Sequence, residues 1–132
     1  MEYIEYINIS IIYIIKHGGR KMHLEFENIK DILVVHMKGE LDHHSAEEVR
    51  NLIDDRLDRS RITKLILDFS GVTFMDSSGI GVVIGRYKKL LAKQGSICVT
   101  NINDTIRRVF EISGMFKIIN VYDKLQNAIE RV

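Results

Sequence analysis

The stretch from Lys64 to Gly81 confines this chain to a narrow set of folds. A short apolar run, Lys64 to Phe69 (KLILDF), continues through Gly71-Val72-Thr73-Phe74-Met75 and Asp76-Ser77-Ser78-Gly79-Ile80-Gly81 straight into apolar residues at helical spacing. A run this apolar fits a strand covered on both faces of a sheet. Ile80, Val83, Ile84, Tyr87, Leu90 and Leu91 then form the inward stripe of a helix, with Arg86, Lys88, Lys89 and Lys93 facing water or filling its basic last turn. Gly95 stops that helix.

The same strand-to-helix pattern recurs on both sides. His23 to Phe26 and Ile32 to Lys38 (ILVVHMK) flank a polar turn at 28–31 and predict an antiparallel hairpin. Ser45 opens a helix that turns Val49, Leu52, Ile53 and Leu57 inward and exits at 59–62; Glu47 and Glu48 sit in its first turn, and Ser45 with Glu48 has the spacing of a capping box. Downstream, Ser96 to Thr100 is a strand in which Cys98 reads as a buried small hydrophobe. Asn103 or Asp104 caps a short helix carrying Ile106, Val109 and Phe110, which Ser113-Gly114 breaks. Phe116 to Val121 supplies a last strand, and a terminal helix turns Leu125, Ala128 and Ile129 inward. After the hairpin the order is β-α-β-α-β-α-β-α, an α/β domain with right-handed crossovers whose helices cover one face of the sheet or both.

At 132 residues and 45% hydrophobic, the chain supports one core of ordinary size and not two. Nineteen basic against eighteen acidic residues exclude a nucleic-acid glove and an acidic tail. The lone Cys98 excludes an internal disulfide, and no CxxC, HExxH or Cys/His cluster offers a metal site, so the expectation is a reduced, soluble, cytoplasmic domain; a monomer is expected, and the near-neutral charge leaves self-association open.

Residues 1–21 stand apart. Tyr3 to Ile15 is aromatic and β-branched, too short to span a bilayer, and lacks the basic start and small-residue cleavage site of a signal peptide. An added edge strand, a peripheral tether and a stretch upstream of the true start all fit. The last is favoured, because codons for Gly18-Gly19-Arg20 can hold a purine-rich ribosome-binding sequence ahead of Met22. The expected domain is then 22–132, formally neutral once the three basic and two acidic residues of 1–21 are set aside.

Two strand-to-helix turns carry the functional interest. In Asp76-Ser77-Ser78-Gly79 a carboxylate and two hydroxyls stand at the start of a helix beside Gly79 and Gly81. An ordinary N-cap followed by small residues explains the spacing; so does an exposed phosphoacceptor, where a phosphoserine adds about 1.5 to 2 negative charges at a partner surface. A nucleophilic serine lacks a His and acid partner in the sequence, and no nucleotide-binding glycine loop is present. The second turn, Gly39-Glu40-Leu41-Asp42-His43-His44-Ser45, leads into the preceding helix. Turns after neighbouring parallel strands meet at one edge of a sheet, so the two share a surface if their strands are neighbours. Asp42 and the histidines either solvate this loop or contribute to that surface, and the adjacent His43 and His44 lack further ligands for a metal.

At these turns the chain resembles the STAS-domain anti-sigma factor antagonists of Gram-positive bacteria, on GELDHHSAEEVR (39–50), LILDFSGVTFMDSSGIGVVIGRY (65–87) and IRRVFEISGMFKII (106–119). L-D-H-H points to the sporulation branch. The resemblance runs from about Met22 to the C-terminus and implies a single STAS-type domain with a mixed, mostly parallel sheet of four to five strands and flanking helices. It implies no enzymatic activity and no cofactor, ATP or ADP being carried by the partner. That partner is a serine-kinase anti-sigma factor, which phosphorylates the second serine of D-S-S-G, here Ser78; a PP2C-type phosphatase reverses the step. Gly39, Glu40, Asp42, His43, His44, Asp76, Ser77, Gly79, Ile80 and Gly81 would form the docking face. A partner-switching module of general stress response and a small nucleotide-binding domain are the alternatives; neither nucleic acid nor membrane is an expected partner.

Overall fold

The computed structural model describes the backbone of residues 2–7 and 10–132 and the side chains from Ile12 onward. Among the described residues seven strands lie side by side in sequence order: β1 (Glu2–Ile7), β2 (Ser10–His17), β3 (Arg20–Ile29), β4 (Ile32–Leu41), β5 (Lys64–Met75), β6 (Ser96–Thr100) and β7 (Asn120–Tyr122). Neighbours from β1 to β4 are antiparallel and those from β4 to β7 parallel. From Arg20 onward this is the mixed, mostly parallel, five-stranded α/β sheet the sequence predicts; β1 and β2 continue it outward from β3.

The helices are α1 (Ala46–Ser60), α2 (Ser77–Leu91), α3 (Asp104–Ser113) and α4 (Leu125–Arg131). Each parallel strand is added on the same side of the last, so right-handed crossovers bring α1, α2 and α3 to one face. Side chains alternate along a strand. Leu33, Val35 and Met37 of β4, Leu65, Leu67 and Phe69 of β5, and Ile97 and Val99 of β6 therefore meet the buried sides of those three helices. The intervening Ile32, Val34, Ile66 and Cys98 face the other way, where Ala128, Leu125 and Ile129 of α4 cover them. Burial pushes the Cys98 thiol up to about 12, as a small core hydrophobe requires.

Beyond α4 the second face is polar. His36 lies between two carboxylates, Nδ1 2.6 Å from Asp68 Oδ2 and Nε2 2.8 Å from Glu27 Oε1. Asp68 also accepts from Asn101 Nδ2 and from the Ser70 N–H, each at 3.0 Å. The hydrogen bond to Asp68, against the cost of burial and with help from Glu27, raises His36 to about 9. Burial alone would raise Asp68, but its bonds to His36, Asn101 and Ser70 outweigh it and hold the acid at about 2.

Several local expectations are corrected. Ser45 and Glu48 do not form a capping box: Ser45 lies in the helical region (φ −108, ψ −21) and its side chain makes no cap bond. Its Oγ instead donates to the Glu40 carbonyl at 2.8 Å and accepts from the Asp42 N–H at 3.2 Å. The hairpin turn is tighter than 28–31, closing between Ile29 and Ile32 with Lys30 at φ +56. β5 does not end at Phe69, because the extended β4 pairs with it as far as Met75 through two register shifts. Phe116 to Val121 is not one strand: a 3-10 turn at Met115–Lys117 precedes a short β7, and the Ile118 and Ile119 N–H groups both donate to the Met115 carbonyl. Arg86 does not face water. It is 6% exposed, with Nε 2.9 Å from Asp54 Oδ1 across the α1–α2 contact, whereas Leu91, expected inward, is 58% exposed.

Candidate functional site

Parallel strands β4 and β5 are hydrogen-bonded neighbours and end together, Leu41 opposite Met75. The turns that follow are built alike. In each, the first residue past the strand is an aspartate whose Oδ1 accepts the N–H two residues on: His44 to Asp42 at 2.9 Å, and Ser78 to Asp76 at 2.8 Å. At Asp76 this satisfies donors at the start of α2 that the helix itself leaves unpaired. Asp76 is the N-cap of α2 in the usual extended conformation, and its Oδ1 also takes the Gly79 N–H at 3.4 Å. At the first turn the Asp42 carboxylate orders the loop just ahead of α1, whose N-cap Ser45 has no side-chain cap bond, and the Asp42 carbonyl accepts the Ala46 N–H at 2.8 Å.

The two turns are tied together. Asp76 Oδ2 accepts the His43 N–H at 3.2 Å and lies 3.6 Å from His43 Nδ1, while the Asp76 N–H points to the Leu41 carbonyl at 3.4 Å. Close approach here depends on Gly79: a Cβ at that position would lie 2.6 Å from the Leu41 carbonyl oxygen and 2.8 Å from Met75 Cγ. Gly39 at φ +126 lets β4 bend into its turn.

Six of the sequence-predicted residues line two hollows; Gly39, His44, Ser77, Gly79 and Ile80 line neither. Glu40, Asp42, His43 and Asp76 line a cleft of about 360 Å³ with Arg20 and Phe74. Asp42 is 3% exposed, and Arg20 Nη1 reaches its Oδ2 at 3.0 Å and Glu40 Oε2 at 3.6 Å. His44 stacks between His43 (centroids 3.9 Å) and His17 (4.7 Å), so the β2–β3 turn leans on the loop. Ser78 and Gly81 line the second hollow, an open groove of about 320 Å³ between α1 and α2, with Ala46, Glu47, Arg50 and Val82. Ser77 is exposed, Gly79 is buried, and Ile80 is partly buried against the core.

The hydroxyls of Ser45, Ser60, Ser70, Ser96 and Ser113 all donate a hydrogen bond. Among the described residues those of Ser77 and Ser78 make none, so both are chemically available. Phe74, Arg20 and Arg50 belong to these hollows and were not singled out from the sequence. Phe74 is 45% exposed although an apolar strand leads up to it. Arg50 shows itself only through its four-residue spacing from Ala46 on α1, which puts both on one side of that helix. No group of three or more metal-binding side chains occurs among the described residues, and none of their helices is long and apolar enough to cross a membrane.

The profile of the STAS domain matches residues 23–128. The anti-sigma F factor antagonist of Paenibacillus polymyxa is 38% identical over 108 residues, covering 82% of this chain and 92% of its own. The anti-sigma-B factor antagonist of Listeria monocytogenes is 30% identical over 72% of this chain and 82% of its own. Among solved structures, the anti-sigma factor antagonist SpoIIAA in its unphosphorylated form superposes with a TM-score of 0.72 at 34% identity, covering 82% of this chain and 94% of that one. The Bacillus SpoIIAA in its phosphorylated form gives 0.65 at 34% identity, over 82% and 97% of the two chains. With a capped D-S-S-G turn joined to a G-E-L-D-H-H loop at the ends of neighbouring parallel strands, and relatives of this kind along most of its length, the chain belongs to the STAS family, among its anti-sigma factor antagonists.

Proposed function

We propose that this protein binds a serine-kinase anti-sigma factor through the joined turns, releases a sporulation sigma factor, and is switched off by phosphorylation of Ser78. The observation that carries the reading is the state of the Ser78 hydroxyl. Its backbone is fixed by Asp76, while Oγ is unengaged and Ser78 lines an open groove between α1 and α2. A rigid turn with a spare nucleophile suits a kinase cleft. Ser78 Oγ attacks the γ-phosphorus of the kinase's ATP, the bond to the β-phosphate oxygen breaks, ADP leaves, and the hydroxyl proton passes to a base of the kinase.

The same locus serves release. A phosphoserine adds about 1.5 to 2 negative charges where a partner had packed on a small hydroxyl. A penalty of about 3 to 4 kcal/mol then weakens binding by two to three orders of magnitude. A PP2C-type phosphatase restores the hydroxyl. The chain itself performs no catalysis in this scheme and needs no cofactor, since nucleotide stays on the kinase. The existence of a phosphorylated form of SpoIIAA supports this assignment.

Incubation with the kinase-type anti-sigma factor and ATP, followed by phosphosite mapping, tests it. One phosphate on Ser78 is expected, and Ser78→Ala should bind without being modified. Modification elsewhere, or full modification of Ser78→Ala, overturns the reading. The similarity to an anti-sigma-B factor antagonist favours a second reading, the same switch in a general stress pathway. Binding to sporulation and stress-response anti-sigma factors measured side by side separates the two.

A further inference from the structure

Phosphorylation of Ser78 would place a dianion at the first turn of α2, and the usual receptor at such a place is the helix's own N–H groups. Here three of those donors are already taken. The Ser78 N–H donates to Asp76 Oδ1 at 2.8 Å, the Gly79 N–H to the same oxygen at 3.4 Å, and the Ile80 N–H to the Asp76 carbonyl at 3.1 Å. Asp76 is itself negative, so the cap that orders this turn also opposes a phosphate there. That leaves the Ser77 N–H as the first-turn amide without a partner among the described residues, so most of the countercharge falls to a side chain.

The groove beside Ser78 offers one. It is lined by Ala46, Glu47 and Arg50 of α1 and by Ser78, Gly81 and Val82 of α2, and Arg50 is its one basic side chain. Among the described residues Arg50 makes no ion pair or hydrogen bond through its side chain. Its charge is nonetheless felt across the helix contact, where burial first and then Arg50 lower the pKa of the Arg86 guanidinium. The groove is kept open by small residues: a Cβ on Gly81 would meet nothing within 4 Å.

We propose that Arg50 is the phosphate receptor of the switch, closing over the groove onto phosphorylated Ser78 and joining α1 to α2 in the modified protein. The inference rests on Ser78 being the phosphoacceptor. Guanidinium is suited to the role, since its planar fork takes two phosphate oxygens at once. Glu47 in the groove and Asp76, with His43 behind it, are the other titratable groups facing the phosphate, and both carboxylates oppose its charge. Arg50 offsets that repulsion and draws the phosphate onto the domain.

Phosphoserine installed at position 78 during translation of the full chain, at a recoded codon and without any kinase, allows a direct test. The phosphorus NMR signal is followed through its second ionisation in the parent, Arg50→Gln and Arg50→Lys. An opposite charge brought within about 4 to 6 Å lowers such a pKa by about one unit or more, so the parent should titrate about one pH unit below Arg50→Gln, with Arg50→Lys between them. In the parent the Arg50 Nε–H resonance should also shift and exchange more slowly when Ser78 is phosphorylated, a measurement that needs no variant. Coincident titration of parent and Arg50→Gln, or an Arg50 resonance indifferent to phosphorylation, overturns the contact. Because no kinase is used, a chain that fails as a kinase substrate overturns the proposed function instead.

Discussion

The backbone N–H of His43 donates to Oδ2 of Asp76, 3.2 Å away, while Oδ1 of the same carboxylate caps α2. One side chain thus sets the relative position of the two turns that follow β4 and β5. The bond is main chain to side chain and leaves the His43 ring 68% exposed. Asp76→Ala removes the cap and the link together and is expected to cost about 1 to 2 kcal/mol in urea unfolding. Asp76→Asn keeps an acceptor and should cost less than about 1 kcal/mol, with faster amide exchange at His43 in both variants. A loss above about 2 kcal/mol for Asp76→Asn would assign the carboxylate to the scaffold alone.

Gly79 and Gly81 are two residues apart on α2 and should respond in opposite directions to the same change. Gly79→Ala forces a Cβ to within 2.6 Å of the Leu41 carbonyl and should destabilise by about 1 to 3 kcal/mol. Gly81→Ala meets open space and gains helix propensity, so it should stabilise by about 0.5 to 1 kcal/mol. Thermal melts of the two proteins at one pH check both signs.

The Glu27–His36–Asp68 cluster makes stability depend on pH at both ends of the scale. His36 is raised to about 9, so its contribution is complete below about pH 6.5 and is lost as pH rises through 9. Asp68 is held at about 2, so its contribution is complete above about pH 4 and is lost as pH falls toward 2. The His36 shift has an upper bound of about 3 kcal/mol; with the ring a quarter exposed, a fall of about 1 to 2 kcal/mol between pH 6.5 and 9.5 is expected. In His36→Gln that alkaline fall should vanish. If its urea midpoint drops as the parent's does, the cluster is not the cause.

The order of elements was legible in the sequence because each amphipathic period is bounded by its own cap or breaker, Gly95, Asn103 and Gly114 among them. Asn103 caps α3 as expected, its Oδ1 accepting the Ile106 N–H at 2.8 Å. What escaped is non-local. His36 and Asp68 are lone polar residues in apolar runs, and only the parallel register that sets them opposite each other makes them a pair. Arg86 follows the helical pattern of an outward residue until Asp54 of α1 is packed beside it. The Ser45-to-Glu48 spacing was right for a cap, yet the Ser45 hydroxyl is engaged by the Glu40 carbonyl and makes no cap bond. The D-S-S-G turn was read correctly as a cap, but the second oxygen of Asp76 could not be placed until β4 was set against β5.

That the loop is held at position 43 by its N–H has a consequence for how partners are chosen. Any residue with an amide hydrogen keeps this bond to Asp76, so the exposed side chain at 43 can vary at the cost only of its own ring contacts, to Asp76 Oδ2 at 3.6 Å and to His44. Recognition can drift at this point while the switch machinery stays fixed. Proline alone is barred, since it would leave the carboxylate oxygen without its donor.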